Sequence, residues 1–324
     1  MTVRAIRDVR FWLVVLATAL VALAIVVPKV ELVRPAVDLI AVVDITGSMN
    51  TRDMESGGKA QSRLEAVQTA LRGLLTILPC QSRLGLGVFT ERSTFLLFEP
   101  AEICANYSAL DGSIRQLDWR MAWAADSYIA RGLHRAIELA GSTGANLLFF
   151  TDGHEAPPLP ASGLPPFEGK VGEVRGLIVG AGGREKSAIP KYDADGRETG
   201  TWGPQDVPQE NRSGPPPQDA SARPGYHPRY APFGAAAAEG DEHLSSLREA
   251  HLKTLAEQTG LSFVNLGETR DLAAALQSHG RSRPAETLTD ISAYPATTAL
   301  LLVLLTGALL PLLERTRALA RRRQ

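Results

Sequence analysis

The chain reads as an α/β protein: a doubly wound, mostly parallel sheet with one antiparallel edge strand, flanked by two transmembrane helices. Three observations predict this. Short apolar runs alternate with helical periodicity from Ala36 onward. The runs are continuous in Val, Leu, Ile and Phe, as in parallel strands covered on both faces. Two longer apolar segments stand towards the two ends.

The elements follow in order. Leu39–Val43 is the first buried strand. Ser62-Arg63-Leu64-Glu65 is a capping box opening a helix whose apolar face carries Leu64, Val67, Leu71, Leu74, Leu75 and Leu78, with Pro79 closing it. The strands Leu84–Thr90 and Thr94–Phe98 form a hairpin, followed by a helix around Ala105–Leu117. A further helix runs from Tyr128 to Ala140, with Gly141 as its expected stop. Asn146–Phe150 and Val174–Val179 are strands. Leu244–Gln258 is read as helix with Gly260 as left-handed cap, Ser262–Leu266 as the last strand and Asp271–Ser278 as the last helix.

From Phe11 to Val27 the one polar residue is Thr18, a length that nearly spans a bilayer core. Residues 296–313 form the second apolar stretch. Arg4, Arg7 and Arg10 precede the first span, and Arg315, Arg317, Arg321, Arg322 and Arg323 follow the second. The positive-inside rule then puts both termini in the cytoplasm and everything between on the far side of the membrane. Ala22-Leu23-Ala24 offers a signal-peptidase site, but it lies inside the apolar run, which favours an uncleaved anchor. The organisation expected is a basic segment 1–10, a span 11–28, a domain 36–280, a linker 281–295, a span 296–313 and a basic tail 314–324. The basic ends leave a surplus of acidic residues between them, 33 against 26, which excludes a basic face for nucleic acid.

Cys80 and Cys104 fall in the exported, oxidising part, one before the first hairpin strand and one after the second. A hairpin places them side by side, so a structural disulfide is the preferred reading. Two free buried thiols are the alternative, and no CxxC spacing marks a redox motif. Between Gly183 and Gly240 lie nine prolines and few large apolar residues, a composition too poor to bury a core of its own. Its start, residues 189–196, is turn-forming, with Asp195-Gly196 at the bend. The rest of the insertion 183–240 reads as a mobile loop, either partner-binding or plain.

The chemistry concentrates at strand ends. Asp44-Ile45-Thr46-Gly47-Ser48 places a carboxylate and two hydroxyls at alternate positions where the first strand gives way to a loop. Thr151-Asp152-Gly153 ends a second strand, and Asp126-Ser127 precedes a helix. Oxygen donors at the carboxyl ends of neighbouring strands suit a small hard cation. Helix capping by the same residue types is the bland alternative for any one motif.

These residues resemble those of the von Willebrand factor type A domain with its metal-ion-dependent adhesion site. The family's first loop reads DxSxS, matched by Asp44, Thr46 and Ser48 with Thr in place of the first Ser. Its third loop gives an Asp, matched by Asp152. Its second gives a Thr, here Ser127, judged from the following Ala130-Arg131-Gly132-Leu133. The resemblance implies Mg²⁺, or Ca²⁺ or Mn²⁺ in its place, bound by hydroxyls and water-linked carboxylates, with one position open to an acidic residue of a partner. The wording Asp44–Asn50 between two anchors resembles bacterial accessory proteins associated with MoxR-type ATPases. Among these it is most similar to the methanol dehydrogenase accessory group. That likeness implies assembly or maturation of a periplasmic enzyme, with other membrane accessory subunits or a MoxR-type ATPase complex as partners. An aerotolerance-type relative is the alternative.

No enzyme activity is expected. A phosphotransferase of the haloacid dehalogenase type also starts from an Asp after a buried strand, but needs a second Asp two residues on, where Thr46 stands. His154 reads as a surface loop histidine. Trp119 and Trp123 read equally well as an aromatic patch or as packing.

Overall fold

Asp38–Asp44 is an interior strand: Leu39 to Val43 are fully buried, with strands on both sides and helices on both faces. The computed structural model describes residues 9–26, 29–234, 240–269 and 271–312. The six-stranded sheet comprises β1 (Asp38–Asp44), β2 (Arg83–Thr90), β3 (Ser93–Glu102), β4 (Asn146–Thr151), β5 (Gly176–Gly180) and β6 (Ser262–Asn265). Their spatial order is β6-β5-β4-β1-β2-β3. All neighbours are parallel except β3, which returns antiparallel beside β2.

The two-residue period of β1 sorts its side chains. Leu39, Ala41 and Val43 pack with helices α1 (Arg63–Ile77), α2 (Tyr107–Arg115) and α5 (Leu272–His279). Ile40 and Val42 pack on the other face with α3 (Ile129–Thr143) and α4 (Glu249–Thr259). Fully burying a Leu or Ile contributes about 1.5–3 kcal/mol. A strand with this many buried apolar residues therefore tolerates a buried carboxylate at its end.

The capping box on α1 forms as expected: Ser62 Oγ accepts from the Glu65 amide at 3.2 Å, and the Glu65 carboxylate accepts from the Ser62 amide at 2.7 Å. Gly141 does not end α3. The helix runs on to Thr143, and Gly144, at φ 68°, closes it. The Ala145 amide reaches the Ala140 carbonyl and the Gly144 amide the Gly141 carbonyl, which satisfies the last turn. Gly132 on α3 is a close-approach position: a Cβ there would lie 2.1 Å from the Phe89 ring.

Three further expectations need correction. The residues read as helix from Leu244 begin instead with a short strand, Leu244–Ser245, antiparallel to Ser187–Ala188; helix starts at Glu249. The amides of Leu247 and Arg248 are already committed to the carbonyls of Gly183 and Asp152. The segment 281–295 is more than a linker, since Arg283–Asp290 pairs with Lys29–Ala36. The insertion is not a free loop. Its start is the hairpin expected there, Pro190–Tyr192 with Glu198–Thr201, turning at Gly196 with φ 77°. Beyond it, Arg223 is tied to Glu210 and Asp219. It lacks a core of its own, as its composition predicts, and seats on the domain through Arg52–Glu198 at 2.7 Å and Tyr192 stacked on Trp119 at 4.7 Å.

The chain divides into two units, Pro35–Arg283 and the residues on either side of it. The second unit holds two helices long and apolar enough to cross a membrane, Val9–Val26 and Ala293–Leu312. They pack against one another, and each buries one small residue, Ala17 and Ala299.

Cys80 and Cys104 form a disulfide with Cα atoms 5.3 Å apart, fastening the start of β2 to the end of β3. Glu102 beside it accepts from the amides of Gln81 and Ala105, and the bonded sulfurs leave no thiolate to hold a metal. Reducing this bond should lower unfolding free energy by about 2–4 kcal/mol, measured by denaturant titration with and without reductant. Gly132→Ala should cost about 1–3 kcal/mol in the same titration, because the Phe89 ring must shift to admit the methyl group.

Candidate metal centre

Four of the five sequence-marked oxygen donors, Asp44, Thr46, Ser48 and Asp152, come from the carboxyl-terminal ends of β1 and β4 or the loops leaving them, and Ser127 comes from the segment between α2 and α3. Asp44 ends β1 and is fully buried. Its Oδ1 accepts from the Thr46 amide at 2.9 Å and the Thr46 hydroxyl at 2.7 Å, a turn closed by the side chain itself. Its Oδ2 accepts from Thr151 Oγ1 at 2.7 Å, which ties the first strand end to the second. Thr46 leads into the short 3₁₀ turn Gly47–Asn50, where Ser48 is buried.

Asp152 follows β4 and is also fully buried. Its Oδ1 accepts from the His154 amide at 2.9 Å. Its Oδ2 accepts from Ser245 Oγ at 3.0 Å and from the guanidinium of Arg63. Ser127 sits before α3, paired through its backbone with Ala156. Thr46, Ser48 and Ser127 line one cavity of about 130 Å³.

Two of these hydroxyls, Ser48 Oγ and Ser127 Oγ, are buried and have no hydrogen-bond partner among the described residues. Leaving a buried hydroxyl unmatched costs about 1–3 kcal/mol. Ser48 helps to hold the charge on Asp152, which places its hydroxyl beside that carboxylate without a well-formed hydrogen bond. An unmatched hydroxyl beside the buried Asp152 carboxylate, with a second one on the same cavity, is the donor chemistry that a hard cation such as Mg²⁺ prefers.

The charges agree. Burial pushes the Asp44 carboxyl up to about 7, and the neighbouring charge of Asp152 adds to the shift. A divalent ion would favour the charged form again. Burial pushes Asp152 the same way, but the Arg63 guanidinium, with His154 behind it, holds it below the ordinary carboxylate range.

Arg63 is the residue that sequence reading missed. Its side chain is fully buried, forked onto Asp53 through Nε at 2.9 Å and Nη2 at 2.6 Å, and bonded to Ser245 Oγ at 2.7 Å. Gly182, at φ 144°, lets the backbone pass where a Cβ would come within 2.8 Å of Arg63 Nε, and the Gly183 amide donates to Asp53. One signal was available: Arg63 occupies the first turn of α1, where the helix dipole disfavours a cation. Three carboxylates and one guanidinium leave two net negative charges, which a divalent ion neutralises.

His154 is likewise not a surface residue. It is 2% exposed, lines the cavity, and pairs through Nε2 with Glu242 at 3.2 Å, while Nδ1 has no partner. Ile189, Trp202, Asp206, Val207 and Pro208 of the insertion complete the cavity wall. Trp119 is taken up by its stack on Tyr192, whereas Trp123 stands exposed, edge-on to Phe95 at 4.9 Å.

Residues 39–154 match the von Willebrand factor type A domain family, from the first strand through the Asp152 motif. The fold of the domain is the von Willebrand factor type A α/β fold. Among solved structures, the chain is similar to an aerotolerance-related membrane protein of Bacteroides fragilis NCTC 9343. Identity is 14% and the TM-score 0.44, over 75% of this chain and 96% of that one. It is similar to the conserved hypothetical protein BatB of Bacteroides thetaiotaomicron at 16% identity and TM-score 0.44, with the same coverage. A von Willebrand factor type A protein from Catenulispora acidiphila matches at 12% identity and TM-score 0.37, over 84% of this chain and 46% of that one. No curated protein matches the chain.

Removing the Arg63 cation leaves Asp53 and Asp152 buried without compensation. Arg63→Ala should therefore lower unfolding free energy by about 3–5 kcal/mol in denaturant titration.

Proposed function

We propose that this protein is held in the bacterial cytoplasmic membrane by two spans and docks a periplasmic protein partner through a divalent cation. Asp44, Thr46, Ser48, Ser127 and Asp152 supply the oxygen donors, and an acidic side chain of the partner completes the coordination. The observation that carries this reading is the pair of buried, unmatched hydroxyls of Ser48 and Ser127 on one cavity, with Ser48 beside the buried Asp152 carboxylate. An all-oxygen set of this kind favours Mg²⁺, with Ca²⁺ or Mn²⁺ as substitutes.

Docking, not turnover, is the chemistry the site supplies. Asp44 is held from both oxygens by hydroxyl donors, and Thr46 stands where a phosphotransferase would carry its acid/base. The basic ends and the disulfide support a periplasmic domain with both termini in the cytoplasm. Within this reading, the Asp44–Asn50 resemblance favours help in assembling a periplasmic enzyme such as a methanol dehydrogenase. Its accessory subunits, or an associated MoxR-type ATPase complex, then act alongside. An aerotolerance role for the same docking module is the second reading.

Titration calorimetry on the full-length protein in detergent should show Mg²⁺ binding, weakened more than tenfold by Asp44→Ala, roughly what losing a single metal contact costs. Pull-down of partners from native membranes should be lost on chelation and in the same variant. Capture that ignores both treatments would refute the proposal.

A further inference from the structure

Beside the metal centre lies a second, larger cavity of about 560 Å³, within the roughly 300–1,000 Å³ of ordinary ligand sites. The two share a wall. Ser127 and Ala156 pair through their backbones, at 2.6 and 2.8 Å, and face the metal-side cavity. Their chain neighbours Tyr128 and Glu155 face the other one. Successive residues therefore alternate between the two cavities, as on a strand.

Two arginines stand at this second cavity and both meet the same ring. The Arg92 guanidinium lies 5.6 Å from the Tyr128 ring centroid and that of Arg131 lies 5.5 Å from it. Arg92 is already neutralised by Glu91, at 2.7 Å. Glu155 is spent on the amides of Ile129 and Ala130, each at 3.0 Å, and on His251. Among the described residues Arg131 forms no ion pair, and it is exposed. The cavity thus presents one ring-held guanidinium that is paired with no carboxylate among the described residues. Leu159, Pro160 and Leu164 give it an apolar side.

We infer that this cavity is a second anchor for the docked partner: a carboxylate binds Arg131 while apolar residues beside it rest against the Leu159–Leu164 loop. A single unpaired guanidinium, with the Glu155 carboxylate on the same cavity, suits a carboxylate better than a dianionic phosphate. The shared wall means that one short acidic segment reaches both the cation and Arg131. This rests on the metal-docking reading, but its own contribution is separable from the metal.

The test uses full-length protein in detergent with fluorescein-labelled peptides that carry two aspartates separated by zero to four leucine or glycine residues. Controls replace either aspartate by asparagine. With Mg²⁺ present, anisotropy should show the best two-aspartate peptide binding about tenfold tighter than either control. Arg131→Gln should erase that advantage, and Arg131→Glu should transfer it to a peptide with lysine as its second charge. With chelator, binding should weaken but stay sensitive to Arg131. A two-aspartate advantage unchanged by both Arg131 variants, or absent at every spacing, overturns the second anchor. Binding that depends on Arg131 and ignores Mg²⁺ and Asp44→Ala overturns the metal reading and leaves this one standing.

Discussion

The buried guanidinium of Arg63 holds together three parts of the chain that lie far apart in sequence. It meets Asp53 from the loop before α1, Asp152 from the end of β4, and Ser245 from the far base of the insertion. Each of those groups would be costly to bury alone, because a carboxylate without a partner loses several kcal/mol of hydration. The arginine is equally dependent on them. The arrangement is therefore all-or-none, and it fixes where Asp152 points before any cation arrives.

The sheet supplies the other half of the positioning. β1 is flanked by β2 and β4 in strict parallel register, so Asp44 and Asp152 emerge from adjacent strand ends at the same edge. Thr151 then reaches across to Asp44 with its hydroxyl. Two carboxylates more than a hundred residues apart in sequence thus leave neighbouring strands at one edge.

Much of this was legible in the sequence because it depends on local rules. Apolar runs gave the strands, Ser62 and Glu65 gave the start of α1, and Asp44, Thr46 and Ser48 stood at a strand end where polar side chains need a reason. The disulfide followed from hairpin geometry. What stayed hidden was set by tertiary partners. Arg63 looked like an ordinary helix residue, and Leu244–Arg248 looked helical until its amides were claimed by Gly183 and Asp152. His154 looked exposed because nothing in its neighbourhood announces that Glu242, nearly ninety residues on, closes over it. The insertion has too little apolar surface to order itself, and its seat on the domain is not written in its own composition.

That seat has a consequence for recognition. Trp202, Val207 and Pro208 wall in the space above Thr46 and Ser48, leaving room for a small carboxylate but not for a broad protein face. A bulky binder must first push this roof aside, and its observed affinity is then the intrinsic one multiplied by the fraction of molecules standing open. Access to Thr46 and Ser48 is then set by the width of this doorway.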